Sequence, residues 1–318
     1  MPFAHLVGIF PRSEKVVELS RSVDRGRATP QELAEAIADD ERRIIALQRE
    51  AGLDYITDGQ LRWQDLLRPL SDGIPGMRAG GIVRWFDNNA FFRHPVITGP
   101  LRPTGRAVLS VMHLPALAGT RWKAILPSPF ALAALAENVS GRTPAQVLDD
   151  AAAVLRAEAH ALAAAGCAYI QFSDPALVTR ARHEDVPRAR DALAKVTDGL
   201  KVRTALHTFF GDAGPVLGEL VTFPVDEIGV DLYALSLNGT NVRAEGKVLL
   251  VGALNGRNSL VEEVGELVDQ VVRLRDRLKP ADVALVPSCD MEFLPWECAE
   301  KKVRRLGEAA AALREVLT

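Results

Sequence analysis

Thr143-Pro144-Ala145-Gln146 begins a run that ends at Gly166, and Ala168-Tyr169-Ile170-Gln171-Phe172 follows it at once. Thr at the N-cap, Pro at the first helical position and Gln three residues after the cap satisfy the free N–H groups of a helix start. Glycine after the last apolar repeat ends the helix by taking the left-handed conformation that other residues avoid. The apolar segment behind it then reads as a strand, so this stretch is one helix feeding one strand. The same unit occurs upstream, where Thr29-Pro30-Gln31-Glu32 starts a helix, Gly52 stops it and Tyr55-Ile56-Thr57 follows.

Working outward from these two units gives eight strand segments: Leu6 to Phe10, Asp54 to Thr57, Trp122 to Leu126, Ala168 to Phe172, Val202 to His207, Glu227 to Val230, Val248 to Val251, and Val283 to Val286. Helical patterns lie between most of them, including Pro187 to Leu200, Val261 to Leu278 and Pro295 to Leu317. Parallel strands joined by helical crossovers follow, because parallel neighbours need a long connection. The predicted fold class is α/β, a single (β/α)8 TIM barrel occupying residues 1–318 as one domain. Residues 61–121 break the rhythm and are rich in Gly, Pro, Trp and Phe. They are expected to form an elaborated loop and β-ribbon after the second strand, over the barrel mouth.

The whole chain has a net charge of -3 and 48% apolar residues, an ordinary balance for a globular protein. Nucleic acids and anionic membranes require clustered basic residues, so neither is an expected partner. No segment reaches the roughly 18 apolar residues that span a bilayer. Three cysteines, Cys167, Cys289 and Cys298, form no disulfide framework and suit a reducing, cytoplasmic setting.

In such a barrel chemistry gathers where the strands end, and polar residues follow nearly every strand here. Arg12 follows the first; Asp58, Gln60 and Arg62 the second; Ser173 and Asp174 the fourth; His207 closes the fifth; Asp231 follows the sixth, Asn255 and Arg257 the seventh, and Cys289 and Asp290 the eighth. Imidazole, carboxylate and thiolate suit zinc, and three protein ligands leave a position open for substrate. His207, Asp231 and Cys289 could therefore form a metal centre, or they could be capping and hydrogen-bonding side chains.

Several motifs resemble those of the cobalamin-independent methionine synthase family. They are Gly8-Ile9-Phe10-Pro11-Arg12, Asp58-Gly59-Gln60-Leu61-Arg62, Ile170-Gln171-Phe172-Ser173-Asp174, His207-Thr208-Phe209-Phe210-Gly211-Asp212 and Pro287-Ser288-Cys289-Asp290, with Lys123 to Phe130 similar to a donor-side loop. The likeness is to the C-terminal catalytic barrel in its single-barrel form. It implies a methyltransferase of methionine biosynthesis, in which zinc ionises an acceptor thiol, homocysteine being the family's acceptor. It further implies catalytic and metal roles for His207, Asp231 and Cys289, with Phe209 standing where another Cys ligand is expected. Substrate-binding roles fall to Ile9, Arg12, Asp58, Gln60, Arg62, Gln171, Ser173, Asp174 and Asn255. Ile9, Gln60 and Ser173 replace the Ser, Glu and Asp that grip the amino-acid end of the acceptor in the family.

By the same resemblance the methyl donor is methylcobalamin on a corrinoid protein, or a methyl-folate, and the segment Trp85 to Phe92 is a docking surface or a structural lid. Three other readings stay open: another thiol alkyltransferase, a metal-free decarboxylase-like enzyme holding carboxylates with Arg12, Arg62 and Arg257, and a non-catalytic corrinoid- or folate-binding descendant.

Overall fold

The computed structural model describes residues 1–317. Ten strands occur: β1 (Phe3–Ala4), β2 (Met77–Arg84), β3 (Phe91–Ile97), β4 (Lys123–Pro127), β5 (Glu137–Asn138), β6 (Tyr169–Ser173), β7 (Arg203–His207), β8 (Glu227–Asp231), β9 (Val248–Leu254) and β10 (Asp282–Pro287). Seven of them form one parallel sheet in the order β1-β10-β9-β8-β7-β6-β4.

The second predicted strand, 54–57, is reduced to isolated bridges. His5 bridges Tyr55 and Ile56 bridges Trp122, both in parallel sense, with Asp54 N donating to Ala4 O at 2.9 Å and Lys123 N to Ile56 O at 2.9 Å. These contacts tie the two edges of the curled sheet to one short segment. The first strand also lies earlier than predicted, at Phe3–Ala4 rather than 6–10. The cause is competition for backbone groups. Lys123 Nζ takes the Leu6 carbonyl, Gln171 Nε2 takes that of Val7, and the Ile9 N–H donates to Asp290.

Both predicted capping boxes are present, at Thr29 with Glu32 and at Thr143 with Gln146. Their helices, Pro30–Glu50 and Pro144–Ala164, precede Gly52 and Gly166, which have φ of 71° and 95°. The later helices begin within a few residues of prediction, at Asp185–Thr197, Val264–Leu278 and Trp296–Leu317. Within 61–121, β2 and β3 form an antiparallel hairpin, and β5 joins it in a small second sheet.

Strand alternation divides the core in two. Ile170 and Phe172 join the large cluster shared with the helices, whereas Tyr169 packs with Phe3, Val7, Tyr55, Ala205, Leu250, Ala284 and Val286 in a smaller one. His5, Lys123, Gln171, His207 and Glu227 are also fully buried, so the sheet's interior carries polar groups that must find partners. Among the described residues no helix is long and apolar enough to cross a membrane.

Candidate active site

The carboxyl ends of the parallel strands bury Asp58, Gln60, Gln171, Ser173, Asp174, His207, Asp231, Cys289 and Asp290. Asp58 Oδ1 accepts the Gln60 N–H at 2.9 Å, and the Gln60 amide donates to Ile125 O at 3.4 Å. Asp174 Oδ1 accepts the Leu177 N–H at 2.8 Å while its other oxygen is hydrogen-bonded to the Ser128 hydroxyl. Burial pushes the Asp58 carboxyl up to about 6 and that of Asp174 up to about 7, against the opposing pull of those hydrogen bonds. Both groups thus titrate near neutrality.

Asp290 is placed by a glycine. A Cβ on Gly8 would lie 1.6 Å from Asp290 Oδ1, and the same oxygen accepts the Ile9 N–H at 3.1 Å. Burial raises Asp290 to about 7, and Glu292 stands at about 8 through burial and then the repulsion of Asp290, partly offset by Arg12. Gly8→Ala should cost about 2 kcal/mol by overpacking, read as a lower denaturant midpoint. A midpoint equal to wild type would show that Asp290 does not need this gap.

The three predicted metal ligands are buried at neighbouring strand ends but do not assemble. Among the described residues no group of three or more His, Cys, Asp or Glu side chains is positioned to hold a metal ion. Asp231 already accepts N–H groups from Phe210 at 3.2 Å and Tyr233 at 3.0 Å, and Arg257 lies 3.5 Å away. Cys289 Sγ lies 3.4 Å from Asp290 O and against Gly256, with its thiol pushed well up by burial and by Asp290 and Asp231. His207 leans over Gly229, where a Cβ would meet its Cδ2 at 2.4 Å; burial and then Lys123 lower its pKa to about 3. Phe209, buried 5.3 Å from the His207 ring, contributes no ligand. As placed here, His207, Asp231 and Cys289 do not form a set that fits a metal ion.

The arginines are also committed. Arg12 donates to Leu61 O at 3.0 Å and to Trp63 O; Arg62 makes a two-point ion pair with buried Glu41 at 2.8 and 3.0 Å. With Arg257 facing Asp231, the three do not form the free carboxylate clamp of the decarboxylase-like reading. Ile9 contributes its backbone, and Asn255 is a loop organiser whose Oδ1 accepts the Arg257 N–H at 2.9 Å.

Above this layer lies an aromatic cover. Phe86, from the turn between β2 and β3, meets Phe210 after β7 at 5.6 Å, and Phe210 meets Phe293 at 6.1 Å. Phe86 and Phe210 both have positive φ, 52° and 70°, an uncommon conformation for bulky residues. Arg180 stacks on Phe86 at 5.1 Å and Arg257 on Phe210 at 5.4 Å. Sequence reasoning missed Glu292, for which no signal exists, and the interior role of Lys123, whose signal is a lysine heading an apolar strand.

Parallel strands carrying buried acids and hydroxyls at one end, under a cover from an inserted hairpin, define a barrel-type α/β protein with an enzyme-like site. Its fold is similar to that of a B12-independent methionine synthase of a Shewanella species in complex with selenomethionine, with a TM-score of 0.82 at 19% identity, covering 100% of this chain and 99% of that one. In sequence it is similar to the methionine synthase of Sulfolobus acidocaldarius, 26% identical over 98% of this chain and 92% of the relative, and to that of Pyrococcus horikoshii, 23% identical over 98% and 93%. Residues 69–279 match the family described as cobalamin-independent synthase, N-terminal domain, and the chain belongs to that family.

This membership overturns one expectation. A family defined as cobalamin-independent is at odds with methylcobalamin as donor and gives a corrinoid protein partner no support. The matched model is described as an N-terminal domain and does not distinguish the single-barrel catalytic form that the motifs resemble.

Proposed function

We propose that this chain transfers a methyl group from a methyl-folate to a thiol, homocysteine first among candidates, without a zinc centre at His207, Asp231 and Cys289. The observation that carries this reading is the end-to-end match to proteins named methionine synthase, which leaves little of either sequence uncovered. The buried acids supply the rest of the argument. A free thiol titrates near 8.5 and must lose its proton to attack, and a neighbouring base near 7 is matched to that task. Asp174, raised to about 7, is the candidate. The sulfur–methyl bond forms as the donor's nitrogen–methyl bond breaks, and the thiol proton passes through Asp174 to that nitrogen. The full eight-position barrel, closed through Tyr55 and Ile56, would keep water from this exchange.

Labelled methyl-folate and homocysteine, incubated with enzyme stripped by a chelator, should yield labelled methionine at the rate of untreated enzyme. Asp174→Asn should slow the transfer by about 100-fold or more, the usual contribution of a positioned acid or base. Strict dependence on added zinc would defeat the metal-free mechanism, and absence of any methylated thiol would defeat the methyltransferase reading. In the latter case, retained binding of homocysteine would favour a non-catalytic descendant, which the unassembled metal set also fits.

A further inference from the structure

We propose that the amino-terminal end of the barrel carries a second binding site, built for an oligophosphate. The cavity there measures about 1000 Å³, and Arg121, Lys201, Arg203 and Lys247 line it together with Tyr55 and Asp226.

Topology explains why these residues meet. Parallel strands all start at one end of the sheet. Ile56 N donates to Arg121 O, Ala168 N to Trp122 O, Arg203 N to Ala168 O, Asp226 N to Thr204 O and Val248 N to Asp226 O, at 3.0 to 3.3 Å. These bonds stitch successive strand starts together, so the cavity lies at the end of the barrel opposite the buried acids.

The sign of the ligand follows from the charges around it. Arg203 is matched, since it pairs with buried Glu227. Arg121 stacks on Tyr55 at 4.6 Å and donates once, to the Tyr55 hydroxyl at 2.9 Å, so most of its N–H groups are unspent. Lys247 donates to the carbonyls of Phe223, at 2.8 Å, and Val225, which are neutral partners. Lys201 is exposed and its side chain makes no hydrogen bond. Among the described residues none of these three cations makes an ion pair.

The acids of the cavity do not cancel them. Asp198 pairs at 3.1 Å with Arg156, which lies outside the cavity. Asp226 alone remains, and its Oδ2 accepts the Thr204 N–H at 2.8 Å and the Thr204 hydroxyl at 3.0 Å. Nor are the cations absorbed by the end of the helix Asp185–Thr197, where a basic side chain often serves. Arg156 takes Lys195 O at 2.6 Å and Asp198 O at 2.8 Å, and His160 lies 3.2 Å from the latter.

An excess of positive charge in a concave recess concentrates its field on whatever enters. Phosphate oxygens suit it, because guanidinium and ammonium groups donate charge-assisted hydrogen bonds to them. The three free cations stem from the starts of β4, β7 and β9, each two strand spacings of about 4.8 Å from the next. An extended anion therefore engages more of them than a single phosphate does. Its presence would also brace barrel closure, because Arg121 grips Tyr55, through which the segment 54–57 bridges His5.

Calorimetric titration of the whole protein with sodium tripolyphosphate, free of divalent cations, tests the site. Wild type should bind it more tightly than inorganic phosphate, with an affinity that falls as salt rises, and its melting temperature should climb with ligand concentration. Lys201→Glu, at a side chain held by no hydrogen bond or ion pair, should weaken binding about tenfold, the worth of one hydrogen bond to a charged group. Lys301→Glu makes the same change in net charge near the start of the last helix, by the carboxyl ends of the strands, and should bind as wild type does. Adenosine triphosphate in place of tripolyphosphate distinguishes the sources of this chemistry: tighter binding assigns a nucleotide, and equal or weaker binding assigns the bare phosphate chain. Failure of wild type to bind tripolyphosphate, equal affinity for phosphate and tripolyphosphate, or equal weakening by Lys201→Glu and Lys301→Glu overturns the inference.

Discussion

Lys302→Met is expected to lower the stability of the folded chain by about 3 kcal/mol, because it leaves a partly buried carboxylate without its cation. The Lys302 side chain is fully buried on the last helix, and its Nζ reaches both oxygens of Glu262, at 2.9 and 2.8 Å. Glu262 is in turn a hub for the strand ends. Its Oε1 accepts the Asn255 N–H at 2.7 Å and lies 3.3 Å from the Tyr233 hydroxyl, which donates to Ala253 O at 2.7 Å. One lysine therefore holds the loops after β8 and β9, which carry Arg257 and flank Asp231.

In a chain of this size about 3 kcal/mol corresponds to a fall of roughly 4.5 °C in Tm. The double substitution Lys302→Met with Glu262→Gln should recover part of the loss, since no ionised group is then stranded. A Lys302→Met protein within about 0.5 kcal/mol of wild type in denaturant titration would show that the pair does not hold these loops.

The second large effect is a stability that falls as pH rises from mildly acid to mildly alkaline. Asp58 and Asp174 have folded values raised to about 6 and about 7, whereas in the unfolded chain both titrate near 3.9. Between those values the folded protein retains protons that the unfolded chain has released. The slope of unfolding free energy with pH is then negative. Their contribution is fully present below about pH 4 and is lost as pH passes 6 and then 7. Together the two amount to several kcal/mol by the 1.36 kcal/mol per unit rule, taken as an order of magnitude. Tm measured at pH 5 should exceed that at pH 8, and Asp174→Asn should flatten the difference. A profile that is level or rises over this range would mean that these acids are ionised in the fold at little cost.

Much of the architecture was legible because its signals are short-range. The Thr-Pro starts at 29 and 143 and the glycines at 52 and 166 fix helix ends within a few residues, and both capping boxes form as read. The order of parallel strands follows from the helical crossovers between them. What failed is instructive. The segment 6–10 has the apolar pattern of a strand, yet its carbonyls are taken by Lys123 and Gln171, residues more than a hundred positions away. The segment 54–57 has the pattern too, but contributes only single bridges to each neighbour.

The site divides the same way. From sequence alone the chain has polar residues at successive strand ends, and the structure does bury His207, Asp231 and Cys289 there. The direction of each side chain was settled by distant neighbours: Gly229 leaves the space into which His207 leans, backbone N–H groups of Phe210 and Tyr233 claim Asp231, and Cys289 packs against Gly256. Sequence thus determined which elements form and which residues stand at their ends, since caps and periodicity act over a few residues. Tertiary structure alone decided which of those residues meet, because a buried polar group takes the partner that closure of the sheet brings within hydrogen-bond reach, however far off it lies along the chain.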